Sequence, residues 1–558
     1  MLHVVVLLAL CGVLYFPYLG NTPFFDKGEP REALAVQDIV QRGEWLFPLK
    51  RATAIPSKPP LFHWTAALTY QFTGQLNEAT IRFPSALYAT LGVLLVYLLG
   101  RKMFGAETGL LGGAILATTM IYQNQALSAR VDMTLCFFVT ASLLLFYALY
   151  RGLLINPLWY FAFYALVGMG TLAKGPLGLL LPGLVIAVFL AIKMRWDLVV
   201  KFAFHPGVVL TLILALGWYG LAITRGGEGF VNRQLLSENL NRFFGGSGHS
   251  HPTYYYLPYL FALGSPWGLF LPFVLWDFCK KDSRRDDDRL FLILWFVVMF
   301  GFFSLSAGKR AVYLLPIYPA LSLLSAVWLH RQIATFGIRL WLFRGITGLA
   351  AATGATLIFI ALGDLWSHDP GWFFSPIERW LKPKDRANFL AIKNELANFG
   401  WRFDVVSLLS AILWLFMAYC LWKSRFRSVA RQLVLLAILF GFMSRGLFVP
   451  QIAATKSYRD FMNEVNRRVN PVEKLMIYGA FNSDPVIFYR GDTIDSDERP
   501  IEAAAAKIFP GNDYVIMTEQ AWQAMRKINS DLPAPLVRST GKGPEGDAPL
   551  VLLRASIS

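Results

Sequence analysis

The chain has 558 residues, of which 55% are hydrophobic, 15% aromatic and only 16% charged. Soluble proteins carry roughly a quarter charged residues, so this composition argues against a soluble enzyme and favours a membrane protein. The formal net charge is +16, but the basic residues lie between apolar runs and form no continuous stripe. No nucleic-acid partner is therefore predicted, and membrane lipids with anionic headgroups are the expected partners of these charges.

Apolar runs of about 20 residues, long enough to cross roughly 30 Å of hydrocarbon, recur along the chain. They predict about thirteen transmembrane helices. The predicted spans lie near residues 2–19, 82–100, 107–125, 133–150, 158–173, 176–194, 206–224, 255–276, 289–306, 311–329, 341–363, 404–422 and 429–449. The first run lacks a basic leading region and a small-residue cleavage site, which predicts an uncleaved span and not a signal peptide.

Basic residues predict the orientation of the chain. Loops on one side hold most of them, Arg101 and Arg195 included, and by the positive-inside rule that side is cytoplasmic. The N-terminus is then cytoplasmic, and an odd number of spans places the C-terminus outside. We predict a transmembrane domain over residues 1–449 and a soluble α/β domain over residues 450–558.

The long outer segment at residues 20–81 is predicted to lie along the membrane surface. Pro30 begins a helix at its tolerated first position and Gly43 ends it. Apolar residues line one side of this helix and charged residues the other, which is typical of an interfacial amphipathic helix. A second surface helix is predicted from Pro59 to Phe72.

The tail has short apolar runs that alternate with helical stretches, which predicts a small α/β domain of about 100 residues. The runs interpreted as strands are Lys474–Tyr478, Val486–Tyr489, Asp513–Met517 and Leu550–Leu553. The helical stretches are 457–468, 500–508 and 519–528.

Two carboxylates, Asp26 and Glu29, follow the first span directly. A charge buried in a membrane protein is costly, so it is by default a functional hypothesis. Such carboxylates can orient a nucleophile, hold a metal or pair with a cationic substrate group. The alternative is that Glu29 caps the following helix and Asp26 is a solvated loop residue.

Several outer-side cations are candidate phosphate ligands. Lys58 lies in an extended, proline-bounded segment at headgroup height, where an ammonium pairs with phosphate unless it only snorkels. Lys174 occupies a tight turn, and a phosphate partner would offset its desolvation. Arg130 and Asp132 form either part of this site or a simple interfacial salt bridge. The full candidate substrate-binding set is Arg31, Lys58, Arg130, Asp132, Lys174, Arg242, Lys309, Arg310 and Tyr313.

His249 and His251 lie in a long outer loop with acidic residues nearby. Alternate residues of an extended strand point to the same side, so the two imidazoles are candidate ligands for a divalent metal. No nucleotide cofactor is predicted.

A set of short motifs carries a family resemblance. In chain order they are Phe24-Phe25-Asp26 through Glu29-Pro30-Arg31-Glu32-Ala33, Gly43-Glu44-Trp45, Lys58-Pro59-Pro60-Leu61, Asn77-Glu78, Arg82-Phe83-Pro84-Ser85-Ala86-Leu87, Ala173-Lys174-Gly175-Pro176, and Leu314-Leu315-Pro316 with Tyr318-Pro319. By these motifs the chain resembles the protein-mannosyltransferase-like superfamily of C-type membrane glycosyltransferases. Within it, the chain resembles the bacterial aminoarabinose transferases that modify lipid A.

The resemblance implies a C-type glycosyltransferase fold with a periplasmic C-terminal domain in a multi-pass protein of the bacterial inner membrane. It implies undecaprenyl-phosphate-linked 4-amino-4-deoxy-L-arabinose as donor and a lipid A phosphate as acceptor, the modification tied to polymyxin resistance. Asp26 would be the catalytic aspartate, although two residues separate it from Glu29 and either carboxylate fits the role. The implied phosphate ligands are Lys58, Lys174, Lys309 and Arg310.

Two other functions also fit the sequence. A protein O-glycosyltransferase of the same superfamily would act on a hydroxyl and would need Asp26 as general base, whereas a phosphate acceptor is already an anion. A lipid flippase or solute transporter would share the span count. Transporters place charges near the midplane and often contain inverted repeats, while here the charges lie at one face and no repeat is visible.

Overall fold

The computed structural model describes residues 1–49, 54–55, 57–232, 234, 251–280, 286–335, 340–367, 401–423, 425–497, 499–501, 513–530, 532–543 and 549–554, with single positions between 381 and 393. Within them the first eleven α-helices are α1 Leu2–Tyr15, α2 Glu29–Arg42, α3 Leu61–Thr73, α4 Glu78–Phe104, α5 Ala106–Thr118, α6 Met120–Ala126, α7 Val131–Tyr150, α8 Leu158–Lys174, α9 Leu177–Ile192, α10 Trp196–Ala203 and α11 Gly207–Phe230.

The second half of the membrane part is helical too. Its α-helices are α12 Tyr256–Leu263, α13 Leu271–Phe278, α14 Asp287–Leu305, α15 Tyr318–Thr335, α16 Leu340–Ser367, α17 Trp401–Trp422, α18 Phe426–Met443 and α19 Val449–Lys456. Short 3₁₀ segments occur at Phe16–Tyr18, Thr253–Tyr255, Trp267–Phe270 and Ala311–Ile317, and a π-helical segment at Ser444–Phe448 joins α18 to α19.

Seven helical segments in the described part of the chain are long and apolar enough to cross a membrane, or eight if one bent pair counts as a span. The seven are Glu78–Phe104, Val131–Tyr150, Gly207–Phe230, Asp287–Leu305, Ala311–Arg331, Phe403–Trp422 and Ser428–Lys456. Shorter apolar helices lie at Leu2–Tyr18, Leu177–Ile192 and Thr347–Gly363. The chain is therefore a multi-pass membrane protein, and the count of about thirteen spans stays a prediction.

Two predicted spans are broken in the structure. The segment 107–125 divides at Thr119, whose backbone is extended (φ −70°, ψ 131°). The segment 255–276 is wrong as one straight span, because Thr253–Leu263 and Trp267–Phe278 meet at 116°. Pro266, which has no N–H to donate, stands in this bend and prevents the helix from continuing.

The two helices predicted for the first outer loop are present as α2 and α3, and their position along the membrane surface stays a prediction. Gly43 ends α2 with φ 69° and Gly74 ends α3 with φ 66°, a left-handed conformation that favours glycine. The polar side of α2 is not solvated as expected. Glu32 and Asp38 are buried, since Glu32 binds His63 and Asp38 accepts the N–H of Leu49.

The tail folds around one five-stranded sheet. Its strands are β1 Leu475–Tyr478, β2 Asp495–Asp497, β3 Tyr514–Thr518, β4 Val537–Arg538 and β5 Leu550–Arg554. They are ordered β2-β1-β3-β5-β4, with β1 parallel to β2 and β3, and β5 antiparallel to β3 and β4. Its helices are α20 Arg459–Arg468, α21 Asp484–Arg490 and α22 Glu519–Ile528. A helical membrane part followed by a small α/β domain was predicted, and the structure has both.

One predicted strand of the tail is wrong. Val486–Tyr489 belongs to the helix α21, which has Pro485 in its first turn and ends at Gly491 with φ 84°. A four-residue apolar run is too short for periodicity to assign it to a helix or to a strand. Here the proline at the start and the glycine at the end indicate a helix. The predicted helix at 500–508 lies almost wholly outside the described residues.

The tail and the first outer loop share one apolar core. Phe24 is fully buried, and its ring lies 5.1 Å from that of Phe488 on α21. The same buried cluster contains residues of α2, α3 and α20. The sheet domain is therefore part of the support for the first outer loop.

We expect Phe488→Ala to destabilise this contact by about 3–5 kcal/mol, the usual cost of removing a buried phenylalanine side chain. Limited proteolysis in detergent should show faster cleavage of both the tail and the first loop. Ile528→Ala, at an exposed position of α22, is the control. Equal cleavage rates for the wild type and Phe488→Ala would contradict a shared core.

Candidate active site

Asp26 and Arg130 form an ion pair at the outer ends of the first loop and α7. Oδ2 of Asp26 lies 3.1 Å from a guanidinium nitrogen of Arg130, and Oδ1 accepts the N–H groups of Gly28 (2.6 Å) and Glu29 (2.8 Å). Burial raises the pKa of the Asp26 carboxyl, but the Arg130 charge and these backbone bonds outweigh it and hold the pKa below its ordinary value. The side chain keeps 38% exposure, so an ionised carboxylate faces the site.

Gly28 lets Arg130 reach this position. A Cβ atom added to Gly28 would lie 1.9 Å from a guanidinium nitrogen of Arg130. A larger residue at position 28 would therefore push the flexible end of the Arg130 side chain away from Asp26. The two residues that separate Asp26 from Glu29 thus include one that the ion pair requires.

Glu29 is committed to Arg82 of α4. Arg82 binds it in two-point fashion at 2.8 and 2.9 Å, and the N–H of Ala129 donates to the same carboxylate at 2.8 Å. Arg82 also donates to the carbonyls of Leu19 and Thr22. Glu29 and Arg82 are 3% and 1% exposed, so this buried pair fixes the backbone of the first loop.

Asp132, in the first turn of α7, interacts with lysines from two other segments of the chain. Lys174, the last residue of α8, donates to Oδ1 of Asp132, and Lys58 also interacts with Asp132 electrostatically. The ammonium of Lys174 lies 4.8 Å from the centre of the Tyr313 ring. Four sequentially distant segments therefore meet at one charged cluster.

Arg310 and Lys309 begin the segment that carries Tyr313. The backbone N–H of Arg310 donates to the Tyr256 hydroxyl at 3.3 Å, while buried Lys309 donates to the carbonyl of Ser306. Arg310 is half-buried, whereas the Lys309 ammonium is bonded within its own turn. The role of either cation as a phosphate ligand stays a prediction.

Arg31 and Glu32 extend the cluster along α2. Arg31 bonds Glu32 at 3.0 Å, and the other oxygen of Glu32 lies 2.9 Å from Nε2 of buried His63. Burial raises the pKa of Glu32, but the Arg31 charge and the His63 bond outweigh it and hold the pKa well below its ordinary value. Glu32 also acts electrostatically on Arg130. Neither Glu32 nor His63 was predicted as a site residue. A histidine within an otherwise apolar surface helix was a sign in the sequence that could have pointed to this pair.

Tyr489 of α21 clamps the first loop from the tail. Its hydroxyl accepts the N–H of Phe24 at 2.9 Å and donates to Glu78 at 2.9 Å. Glu78 lies at the start of α4 and also pairs with Arg459. Sequence reasoning could not find this contact, because 465 residues separate Phe24 from Tyr489.

Of the two predicted metal ligands, the structure describes only His251. Arg242 and His249 lie outside the described residues, and the ring of His251 stacks on Tyr255 at 4.3 Å. Among the residues that the structure describes, no group of three His, Cys, Asp or Glu side chains is placed to hold a metal. The oxygens of Glu29 bond Arg82 and the Ala129 amide, and those of Asp26 bond Arg130 and two backbone amides.

Comparison with known proteins shows which proteins the chain is similar to. The profile of the family described as dolichyl-phosphate-mannose-protein mannosyltransferase matches residues 57–219. An undecaprenyl phosphate-alpha-4-amino-4-deoxy-L-arabinose arabinosyl transferase of Pseudomonas paraeruginosa is 30% identical over 382 residues, covering 67% of this chain and 68% of that protein. The corresponding transferase 1 of Pseudomonas fluorescens is 30% identical over 352 residues, or 62% of this chain.

The matched stretch covers only part of several relatives. It spans 63% of the Pseudomonas fluorescens protein and 62% of an uncharacterised protein of Aquifex aeolicus, which is 28% identical over 323 residues. The fold likeness is wider. The crystal structure of Cupriavidus metallidurans ArnT bound to undecaprenyl phosphate aligns with a TM-score of 0.79 at 21% identity, over 100% of this chain and 98% of that one. The chain has the same fold.

We expect Glu29→Ala to destabilise the protein by about 3–5 kcal/mol, because it leaves buried Arg82 without its counter-charge. The melting temperature in detergent measures this. The double variant Glu29→Leu/Arg82→Met should recover much of the loss, since an apolar pair of similar volume replaces the ions. Arg195→Ala, in an exposed pair with Asp197, should change nothing. An unaltered melting temperature for Glu29→Ala would show that the pair does not hold the loop.

Tyr489→Phe should loosen the first loop without unfolding the tail. The variant keeps the ring contacts and removes the hydroxyl that accepts the Phe24 N–H. Amide hydrogen exchange at Phe24 should become about fivefold faster, the factor corresponding to a hydrogen bond of ~1 kcal/mol. The control is Tyr478→Phe, which removes a hydroxyl that donates to the backbone carbonyl of Arg499 within the tail. Unchanged exchange at Phe24 would rule out the clamp.

Proposed function

The chain belongs to the undecaprenyl phosphate-alpha-4-amino-4-deoxy-L-arabinose arabinosyl transferase family, and on that premise we propose that it is a membrane glycosyltransferase that moves 4-amino-4-deoxy-L-arabinose from undecaprenyl phosphate to a phosphate of lipid A. The observation that carries the proposal is the charged cluster at the outer ends of α7 and α8. Arg130, Lys58 and Lys174 give three positive charges against two negative charges from Asp26 and Asp132. Cations gathered at one point suit an anionic lipid headgroup.

The cluster supplies what this reaction needs. As the bond between the sugar and the donor phosphate breaks, negative charge builds on the leaving phosphate. Cations already fixed in a water-poor site stabilise that charge without reorganising. Lys174 is held by Asp132 and the Tyr313 ring, and Arg130 is held by Asp26, so their positions are set before substrate arrives.

The state of Asp26 favours a phosphate acceptor over a hydroxyl. Its pKa lies below the ordinary value, and a general base works best when its pKa is near the working pH. A phosphate oxygen attacks as an anion and needs no base. Exposed and ionised, Asp26 is instead suited to pair with the ammonium of the amino sugar.

The proposed topology follows from the predicted orientation. The cluster lies at the end of α8 and the start of α7, on the side opposite Arg101 and Arg195. With that basic side cytoplasmic, the cluster and the tail domain face the periplasm of a bacterial inner membrane. The domains then divide near residue 449, with the sheet domain resting on the surface helices α2 and α3.

One observation keeps a second acceptor in view. The mannosyltransferase profile matches residues 57–219, a stretch that contains Lys58, Arg130, Asp132 and Lys174. A protein O-glycosyltransferase would use the same donor chemistry but would add the sugar to a serine or threonine hydroxyl. No observation on the described residues favours a transporter.

The direct test supplies purified protein with the undecaprenyl-phosphate amino sugar and either lipid A or a serine- and threonine-rich peptide. Mass spectrometry should show the sugar on lipid A and not on the peptide. Asp26→Ala, Lys174→Ala and Arg310→Ala should each lower transfer at least 100-fold, as expected for removal of a preorganised charge. Asp197→Ala, an exposed residue at the opposite face, is the control. Sugar on the peptide alone would replace this proposal with the O-glycosyltransferase.

The pH dependence should report the acceptor and not Asp26. A carboxyl with a lowered pKa in the folded state adds stability above its unfolded pKa of about 3.9 and loses it as pH falls through the folded value. Asp26 is therefore ionised throughout pH 5–8. The rate should decline on acidification near pH 6, where a phosphate monoester takes up a proton. An acidic limb that disappears in Asp26→Asn would assign the limb to Asp26 and contradict this account.

A further inference from the structure

Arg445 lies on the π-helical segment Ser444–Phe448, between the helices α18 and α19. The segment belongs to one of the seven long apolar stretches, Ser428–Lys456. Arg445 is half-buried there. π-Helical turns are rare and occur frequently at functional sites, so a charged residue on this one needs an explanation.

The partner of Arg445 is neutral. Its guanidinium donates to the side-chain oxygen of Asn124 on α6, and within the described residues it forms no ion pair. The charges of Arg82 and Glu29 act electrostatically on Arg445. The charge of Glu29 is already engaged by Arg82, which bonds both of its oxygens.

An arginine in an apolar segment without a counter-charge is expensive, and such residues mark ligand sites or pathways. Two glycines bring neighbouring helices close to it. A Cβ on Gly441 would lie 3.3 Å from the side chain of Gln123, and one on Gly446 would lie 3.7 Å from Tyr18. The segment that carries Arg445 therefore packs against α6 and the 3₁₀ segment Phe16–Tyr18, and Arg445 stays partly accessible.

The turn between α6 and α7 connects Arg445 to the cluster. Asn124 stands at one end of this turn, and its carbonyl accepts the hydroxyl of Ser128. At the other end, Ala129 donates to Glu29 and Arg130 binds Asp26. Arg445 and Arg130 therefore flank one turn from two sides, with the Glu29–Arg82 pair between them.

We propose that Arg445, assisted by the Asn124 amide, binds the phosphate of the acceptor lipid. This inference rests on the proposed function, in which two lipid phosphates must approach one sugar carbon. The lysines of the cluster hold the donor phosphate as it leaves. Arg445 gives the second phosphate a site of its own, where the arginine fork makes two-point contact with phosphate oxygens.

The test compares Arg445→Gln with Arg431→Gln, a matched change at an exposed arginine of the same helical stretch. We expect Arg445→Gln to raise the KM for lipid A about tenfold or more, the usual weight of a hydrogen bond to a charged group. The KM for the donor should stay within twofold of the wild type. Arg445→Lys, which keeps the charge, should lie between, and Arg431→Gln should match the wild type. An equal rise in the donor KM, or no rise in either, would overturn the assignment.

A binding measurement separates this inference from the proposed function. Native mass spectrometry of the detergent-solubilised protein should detect bisphosphorylated lipid A on the wild type, and much less on Arg445→Gln. Lipid A stripped of its phosphates should bind both proteins equally weakly. Displacement by inorganic phosphate or by phosphatidylglycerol at equal concentration would reduce the site to a general anion or lipid site and overturn the proposal. If the binding pattern holds while no sugar is transferred, the proposed function fails and the phosphate site stands.

Discussion

The bidentate pair between Glu29 and Arg82 is the constraint on which the rest of the site depends. Two full charges, each almost completely buried, tie the first residue of α2 to the first turns of α4. Breaking such a pair leaves one buried charge uncompensated, which costs far more than the intact pair gains. The first loop consequently has one position relative to the spans. Asp26 lies three residues before Glu29 in the chain. It is therefore held where it pairs with Arg130 at the start of α7.

The tail domain completes this arrangement from outside the membrane part. Its helix α21 presents Phe488 to the ring of Phe24 and the Tyr489 hydroxyl to the backbone of the same residue. The loop is thus held to α4 by an ion pair and to the tail domain by an apolar contact and a hydrogen bond. Since Asp26 lies between these two supports, its geometry depends on the tail as much as on the spans, although no tail residue belongs to the charged cluster itself.

Local signals in the sequence predicted much of this. Glycines at 43 and 74 and prolines near the helix starts predicted both surface helices, and the ordered motifs around Asp26, Lys58 and Lys174 predicted the family, which is confirmed. The same reasoning failed where distant contacts decide the outcome. It treated the polar side of α2 as solvated, because His63 and Leu49 were not known to cover it. It assigned Val486–Tyr489 to a strand, because a four-residue apolar run has no period of its own. Arg82 stood within a quoted motif, but nothing local shows that it binds Glu29. The roles of Asp26, Lys174 and Arg310 stay predictions.

The contact between Phe24 and Tyr489 also sets an order of assembly during synthesis. The two residues are 465 positions apart, so at about 5–20 residues per second the ribosome needs on the order of 20–90 s to make the second after the first. Until then Phe24 lacks both the ring contact with Phe488 and the hydrogen bond to Tyr489. The support that the tail gives to the first loop can therefore form only once translation has almost ended. Truncated products that lack α21 would lack this support.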